Sequence, residues 1–337
     1  MPLAEVVAQS VMAQYPSCLA PRNIVDLGSA GGFSGARFWR VITPSGAVCL
    51  RRWPSEHPTR ERLAEIHAVL CYVRRCGLEC VPAPLADRAG NTILSFSQSL
   101  WDVTPWLPGR ADYHHEPTPE KLQAALATLA RFHSSAATTP GQRGTHVVAR
   151  GILERRRLLE DLVAHEEQQI RRALRGQCPS PLVDRARRML PLFSRFAPRG
   201  AAMLEQAMIA VAVQPCIRDI WHDHVLYTGD DVTGIVDFGA MRMDSIAGDV
   251  ARLLGSLVGD SADGWETGLE AYARVRPLSS EERRLVDAYD VTGVLLSGMN
   301  WLRWIYLEQR QFENIPIILN RLDRIIARLA HLAERFG

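Results

Sequence analysis

The sequence almost lacks lysine. Of its 39 basic residues only Lys121 is lysine, and the rest are arginine. Any phosphate-pairing lysine that a fold would use must here be an arginine, a planar fork in place of a compact point charge. An excess of either charge is also missing. The balance of 39 basic against 37 acidic residues gives +2, so no overall field draws the chain to nucleic acid or to a membrane surface. The seven cysteines are odd in number and follow no regular spacing, which argues against a disulfide framework and for a reducing cytoplasm. No CxxC pair occurs. Cys71, Cys76 and Cys80 lie close together, but the first two fall in a helical pattern, and incidental or buried thiols fit them better than zinc ligands. Long apolar runs are absent too. "VTGVLLSGMNWLRWIYL" is interrupted by Arg303 and is too short to span a bilayer. The opening "MPLAEVVAQSVMAQY" has no basic segment and carries Glu5, so no signal peptide is expected. These exclusions leave 337 residues of ordinary composition, 47% hydrophobic and 23% charged, enough for a large core and for two lobes.

Local patterns divide the chain in two. A short amphipathic helix is expected over residues 3–14, followed by "NIVDLGSAGGFSGARFWRVITPSGAVCLRRW". That stretch reads as strand, Gly/Ser-rich turn, strand, Pro-Ser-Gly turn, strand. "TRERLAEIHAVLCYVRRCG" follows as a helix, with Leu63, Ile66, Ala68, Leu70 and Val73 on its apolar side and Gly77 as its stop. Further β-like sequence runs to the Pro108-Gly109 turn. Beyond it Thr118 is placed to cap "TPEKLQAALATLARFHSSA", and residues 150–197 read as two Arg-rich helices broken near "GQCPSP". Short strands interrupt at 214–244. "SIAGDVARLLGSLVG" and four further helical segments are then expected to finish the chain, the last with Leu322, Ile325, Ile326, Leu329, Leu332 and Phe336 on one face.

"IVDLGSAGGFSG" imitates the first motif of a methyltransferase, an apolar strand ending in Asp-x-Gly. In such a Rossmann unit an acidic residue about 20 positions on would bind the ribose. Here no Asp or Glu follows Asp26 until Glu56, and two strands stand where a helix is required. No Gly-Lys-Ser/Thr follows, so a Walker loop is excluded as well. A strand, Gly-rich turn and strand remain, the shape of a loop lying over nucleotide phosphates, or of an ordinary hairpin.

Phosphoryl transfer needs a phosphate cradle, a cation, a carboxylate for the attacking hydroxyl, and metal ligands. In order, the chain offers "GSAGGFSG", "VCLRR", Glu65, Asp219 in "IRDIWHDH" and Asp237 in "VDFG". With these residues in "IRDIWHDHVLYTGDDVTGIVDFGAMRMDSIAGDVARLL", the chain resembles the aminoglycoside phosphotransferase and choline/homoserine kinase-like superfamily. That resemblance implies an α+β, two-lobed protein-kinase-like fold. A β-rich nucleotide-binding lobe would span residues 1–106, and a mainly helical lobe with the catalytic loop and acceptor pocket would span 107–337. It further implies ATP and Mg²⁺ as cofactors and a small-molecule acceptor bearing a hydroxyl. Carried over by position, Asp219 takes the place of the catalytic aspartate, and Asp237 that of the metal-holding one. Arg51 stands where the family has a phosphate-pairing Lys or Arg, with Glu65, or Glu61 one turn earlier, to hold it. Gly31, Gly32 and Ser34 form the phosphate loop, and Asp249 braces the catalytic loop.

Two departures matter in the family pattern of His-Gly-Asp followed after four residues by Asn. Its His is Ile217, and its Asn is His224. Imidazole is a softer ligand than an amide oxygen. His224 would therefore bind the metal directly, act through water, or leave Asp237 to hold the metal. The alternative to a small-molecule kinase is a pseudokinase, a nucleotide-binding module with a degenerate loop. Simpler readings stand beside each residue. His222 and His224 alternate as metal ligands on a strand would, Asp244 is placed to cap the helix after it or to lie near the metal, and Arg51 adjoins a second arginine that faces the other way.

Overall fold

A computed structural model describes residues 3–29, 35–142, 144–312 and 314–336. In chain order it contains α1 (Leu3–Met12), β1 (Asn23–Gly28), β2 (Arg37–Thr43), β3 (Gly46–Arg52), α2 (Arg60–Arg75), β4 (Leu94–Phe96), β5 (Ser99–Pro105) and α3 (Pro119–Ala136). Then come β6 (Thr145–Val148), α4 (Arg150–Asp161), α5 (Glu167–Ala173), α6 (Pro181–Gln206), β7 (Ala210–Cys216), β8 (Val225–Thr228) and β9 (Asp231–Ile235). The chain ends with β10 (Arg242–Asp244), α7 (Ala247–Val258), α8 (Ala262–Val275), α9 (Ser280–Tyr306) and α10 (Ile315–Phe336). Two compact units result. One comprises residues 1–143 and 222–242, the other 144–221 and 243–337.

The first unit is built on an antiparallel sheet in the order β1-β2-β3-β5-β4. Strand pleating sends alternate side chains to opposite faces. Val48 and Leu50 of β3 therefore join Trp39, Trp101 and Val103 in a core that α1 covers with Ala8, Val11 and Met12. Trp39 and Trp101 stack at its centre with ring centroids 5.3 Å apart. Asp26 shows what the methyltransferase-like stretch is. Its carboxylate accepts from the Gly28 amide at 2.7 Å and from Arg37 at 2.9 Å, which ties the base of the β1–β2 hairpin. Gly31, Gly32 and Ser34 lie outside the described residues.

Helix α2 begins at Thr59, whose hydroxyl accepts from the Arg62 amide, and ends before Gly77. It buries Leu63, Ile66, Leu70 and Val73 as expected, but His67 and Val69 are buried where Ala68 is exposed. Thr118 caps α3 by accepting from the Lys121 amide at 3.0 Å. Lys121, the lone lysine, is buried beneath this helix. Its ammonium donates to Asp112 at 3.1 Å and lies 5.6 Å from the centre of the Tyr227 ring on β8. Lys121→Ala leaves the partly buried Asp112 without its charged donor, and a loss of about 2 kcal/mol is expected. Urea unfolding with an unchanged slope and a lower midpoint would show it.

The second unit packs its helices beside a small sheet in the order β10-β7-β6. Helices α4 and α5 are bridged by a π-helical turn at Leu162–Glu166, and the break near "GQCPSP" falls between α5 and α6. Helix α6 starts at the cap Ser180 and runs unbroken through Pro191 and Pro198. It lies close enough to α9 that a Cβ on Gly200 would stand 2.7 Å from a Leu295 methyl group, which would have to move aside. After α7 three helices follow among the described residues rather than four, and one of them, α9, runs unbroken for 27 residues through Gly293 and Gly298. The apolar stripe of α10 is buried at Leu322, Ile326, Leu329 and Leu332. No helix among the described residues is long and apolar enough to cross a membrane, and the seven cysteines are free thiols.

Candidate active site

In the first unit, strand register places Arg51 of β3 directly opposite Asp102 of β5. The guanidinium donates to both carboxylate oxygens, Nε at 3.2 Å and Nη2 at 3.1 Å, and lies 3.6 Å over the Trp53 ring. Asp102 is fully buried and holds two further partners, the Trp53 indole N–H at 2.8 Å and the His67 ring Nε2 at 3.1 Å. Burial alone would raise the Asp102 pKa, yet the Arg51 guanidinium and the His67 ring hold it well below the usual carboxylate range. The expected Arg51–Glu65 pair is not formed. Glu65 sits on the exposed side of α2 and pairs with Arg62 one turn back, and Glu61 is exposed as well. The sheet supplies an acid closer to Arg51 than any on the helix.

Asp237 follows β9 and takes a left-handed backbone, φ 62°, which is uncommon for a residue with a side chain. Its carboxylate is half-exposed and lies 3.7 Å from the His224 Nε2. The two are tied through the backbone, because the Val236 amide donates to the His224 carbonyl at 2.9 Å. Phe238 anchors the next position by burying its ring 5.5 Å from that of Phe132. Gly239 backs onto Trp53, and a Cβ there would meet the indole at 3.1 Å. One indole thus lies under the Arg51 guanidinium and beside Gly239, two residues from Asp237. His222 and His224 do not alternate on a strand. Residues 222–224 form a 3-10 turn, and His222 instead packs edge-on against His114, 4.2 Å between ring centres.

In the second unit the loop after β7 carries Asp219. Buried Asp249 of α7 accepts from two consecutive loop amides, Ile217 at 2.7 Å and Arg218 at 2.6 Å, which is the expected brace. Ile217 is fully buried and acts as the loop's apolar anchor. Arg218, where the family pattern has glycine, is held at φ 67°. Such a conformation costs roughly 1–2 kcal/mol for a side-chain-bearing residue. The strain is opposed by ion pairs from its guanidinium to Glu154 and, at 3.1 Å, to Asp244. Burial opposes the Arg218 charge, and these two acids more than restore it, so its pKa lies above the usual value. The Asp219 carboxylate, about half-exposed, pairs with Arg252. Two residues on, Trp221 lies under the Arg321 guanidinium at 4.7 Å. Asp244 does not cap α7. It is buried and accepts from the Gly151 amide at 3.1 Å and the Tyr289 hydroxyl at 3.2 Å, while Ser245 offers its hydroxyl to the Ala247 amide.

Asp102, His67, Trp53, Arg218 and Arg252 were not singled out by the sequence. Asp102 did leave a trace, a lone carboxylate between Trp101 and Val103 in an apolar strand, where an unpartnered charge would be costly.

A family model described as "Phosphotransferase enzyme family" matches residues 28–284. A homoserine kinase of Brucella anthropi is 27% identical over 280 residues, covering 81% of this chain and 76% of that protein. An aminoglycoside phosphotransferase from Alicyclobacillus acidocaldarius superposes with a TM-score of 0.66 at 18% identity, over 97% of this chain and 95% of its own. A spectinomycin phosphotransferase bound to ADP and spectinomycin superposes equally well, TM-score 0.66, at 9% identity over 98% of both chains. A microcompartment-associated aminopropanol kinase follows with a TM-score of 0.65 at 14% identity, over 98% of this chain and 97% of its own. These likenesses establish the protein-kinase-like α+β fold.

Proposed function

The chain belongs to the phosphotransferase enzyme family, and from that premise we propose that it transfers the γ-phosphoryl group of ATP to a hydroxyl of a small molecule. The observation that carries this reading is the contact chain Arg51–Trp53–Gly239–Asp237, which gathers a phosphate-pairing cation and a metal-type carboxylate around one indole. Asp102 takes Nε and Nη2 of Arg51 and leaves Nη1 for nucleotide phosphate oxygens. Glu65 serves only as surface charge on α2 in this reading.

Asp237 with His224 is a donor set of one hard oxygen and one imidazole nitrogen, which fits a divalent cation completed by water and phosphate oxygens. Bound Mg²⁺ would neutralise charge building on those oxygens. Asp219 accepts a hydrogen bond from the acceptor hydroxyl and orients its oxygen toward phosphorus. Residues 1–106 would then serve the nucleotide and 107–337 the acceptor. The free cysteines fit a reducing cytoplasm.

The test is a thermal-shift titration with ATP and GTP, each with and without Mg²⁺ or Mn²⁺. A ligand that binds the native state raises the melting temperature according to its concentration over its dissociation constant. Metal-dependent stabilisation by ATP in wild type, lost in Asp237→Asn, is the expected result. Failure of every nucleotide–metal pair to shift wild type would remove the nucleotide from the function.

A further inference from the structure

The loop bearing Asp219 is surrounded by arginines within its own unit. Arg218 is shared by Glu154 and Asp244, and Arg252 pairs with Asp219 itself. Arg150 also pairs with Glu154, at 2.6 Å. Arg155 differs from these three. It projects from the α4 face that meets the loop, where neighbouring Gly151 donates to Asp244 and Glu154 holds Arg218. Its guanidinium is half-buried and lies 4.8 Å from the centre of the Tyr289 ring, in room left by Gly293 of α9. No carboxylate among the described residues lies within ion-pair distance of it. Burial lowers its pKa, the charges of Arg252 and Arg218 act in the same sense, and Tyr289 and Asp244 offset only part of the fall. A guanidinium kept partly desolvated beside two like charges is electrostatically unfavourable without an anion. The acids nearby do not supply one. Asp244 is held by Arg218, Gly151, Ser245 and Tyr289, and Asp249 by two backbone amides.

We propose that the acceptor is an anion, a hydroxy compound carrying a carboxylate or phosphate, and that Arg155 binds its oxyanion beside Asp219. The inference rests on the phosphotransferase reading above and adds the charge class of the acceptor. A guanidinium fork matches two oxygens of either group, and the π-face of Tyr289 fixes the plane of that fork. Arg218 and Arg252 stay on their own carboxylates and add long-range attraction. A cationic acceptor would meet three arginines at this place, which discriminates against amines of the same size.

The experiment uses four probes on one three-carbon frame: D-glycerate, sn-glycerol 3-phosphate, glycerol and 3-amino-1,2-propanediol. Each is titrated at fixed ionic strength against wild type, Arg155→Met and Arg155→Lys, with the melting temperature as readout. ATP with Mg²⁺ is titrated on the same samples. One or both anions are expected to bind wild type about tenfold or more tightly than glycerol or the amine, as for a charged hydrogen-bonded contact. Glycerate and glycerol 3-phosphate tell the carboxylate source from the phosphate source. Arg155→Met should remove that preference and Arg155→Lys keep part of it, with the nucleotide shift unchanged in both. Equal responses to all four probes, including none, would overturn the proposal. So would tightest binding by the amine, or an anion preference that survives Arg155→Met. Loss of the ATP–Mg²⁺ shift in wild type would instead strike the phosphotransferase reading, whatever the four probes do.

Discussion

Asp219→Asn is expected to lower the rate of phosphoryl transfer about 10²–10⁴-fold, the usual contribution of a positioned proton acceptor. An amide keeps the size and one oxygen of the carboxylate but removes its charge and basicity. The loop itself should hold. Its two amides are fixed by Asp249, its apolar anchor Ile217 is buried, and neither contact involves the Asp219 side chain. The lost pair with Arg252 is half-exposed on both sides and contributes little to folding. The measurement is transfer of labelled phosphate from ATP to an acceptor, beside the ATP–Mg²⁺ thermal shift of the same variant. Loss of transfer with an unchanged shift is the expected pattern. Transfer near the wild-type rate would remove Asp219 from the chemistry and move attention to the neighbouring carboxylates of the loop.

Asp102→Ala should have the largest effect on stability. Arg51 would lose both of its carboxylate contacts while 87% buried by side-chain area, and the His67 and Trp53 nitrogens would lose their acceptor. Breaking a buried ion pair on one side costs about 3–5 kcal/mol, because the remaining charge stays desolvated. The first unit should therefore unfold at lower urea, and ATP binding should weaken as Arg51 loses its fixed orientation. The effect has a pH signature. The folded Asp102 carboxyl titrates below its unfolded counterpart, so its stabilisation is complete above the unfolded value of about 3.9 and fades as pH falls beneath it. The gap between wild type and variant should be constant near neutrality and narrow in acid. A variant as stable as wild type would mean that Arg51 and His67 find solvent or another acceptor when Asp102 is gone.

Much of this molecule was legible in short stretches. The Thr118 cap, the strand–turn–strand–turn–strand order of β1 to β3, and the periodicity of α2 and α10 are local patterns, and each formed nearly where the sequence placed it. The alternative that set His222 and His224 side by side on a strand fails, because residues 222–224 form a 3-10 turn before β8. Helix α9 runs through Gly293 and Gly298, and a Cβ on Gly298 would meet Met189 of α6 at 2.8 Å, so that glycine marks a close approach of two helices.

By itself the sequence determined that the chain carries Asp219 and Asp237 on either side of a β-hairpin, and that any phosphate-pairing cation must be arginine, since residue type and spacing are local properties. Only the tertiary structure decided which acid holds Arg51. Asp102 stands 51 residues away in sequence and becomes its partner through the β3–β5 register, which the whole sheet sets. The same holds for the arginines around Asp219. Arg155, Arg218 and Arg252 come from a helix, a loop and a second helix, and an ordinary count of charge finds nothing unusual in any of them. Their effect arises where burial removes water from between them, and desolvation is a property of packing that no single segment contains.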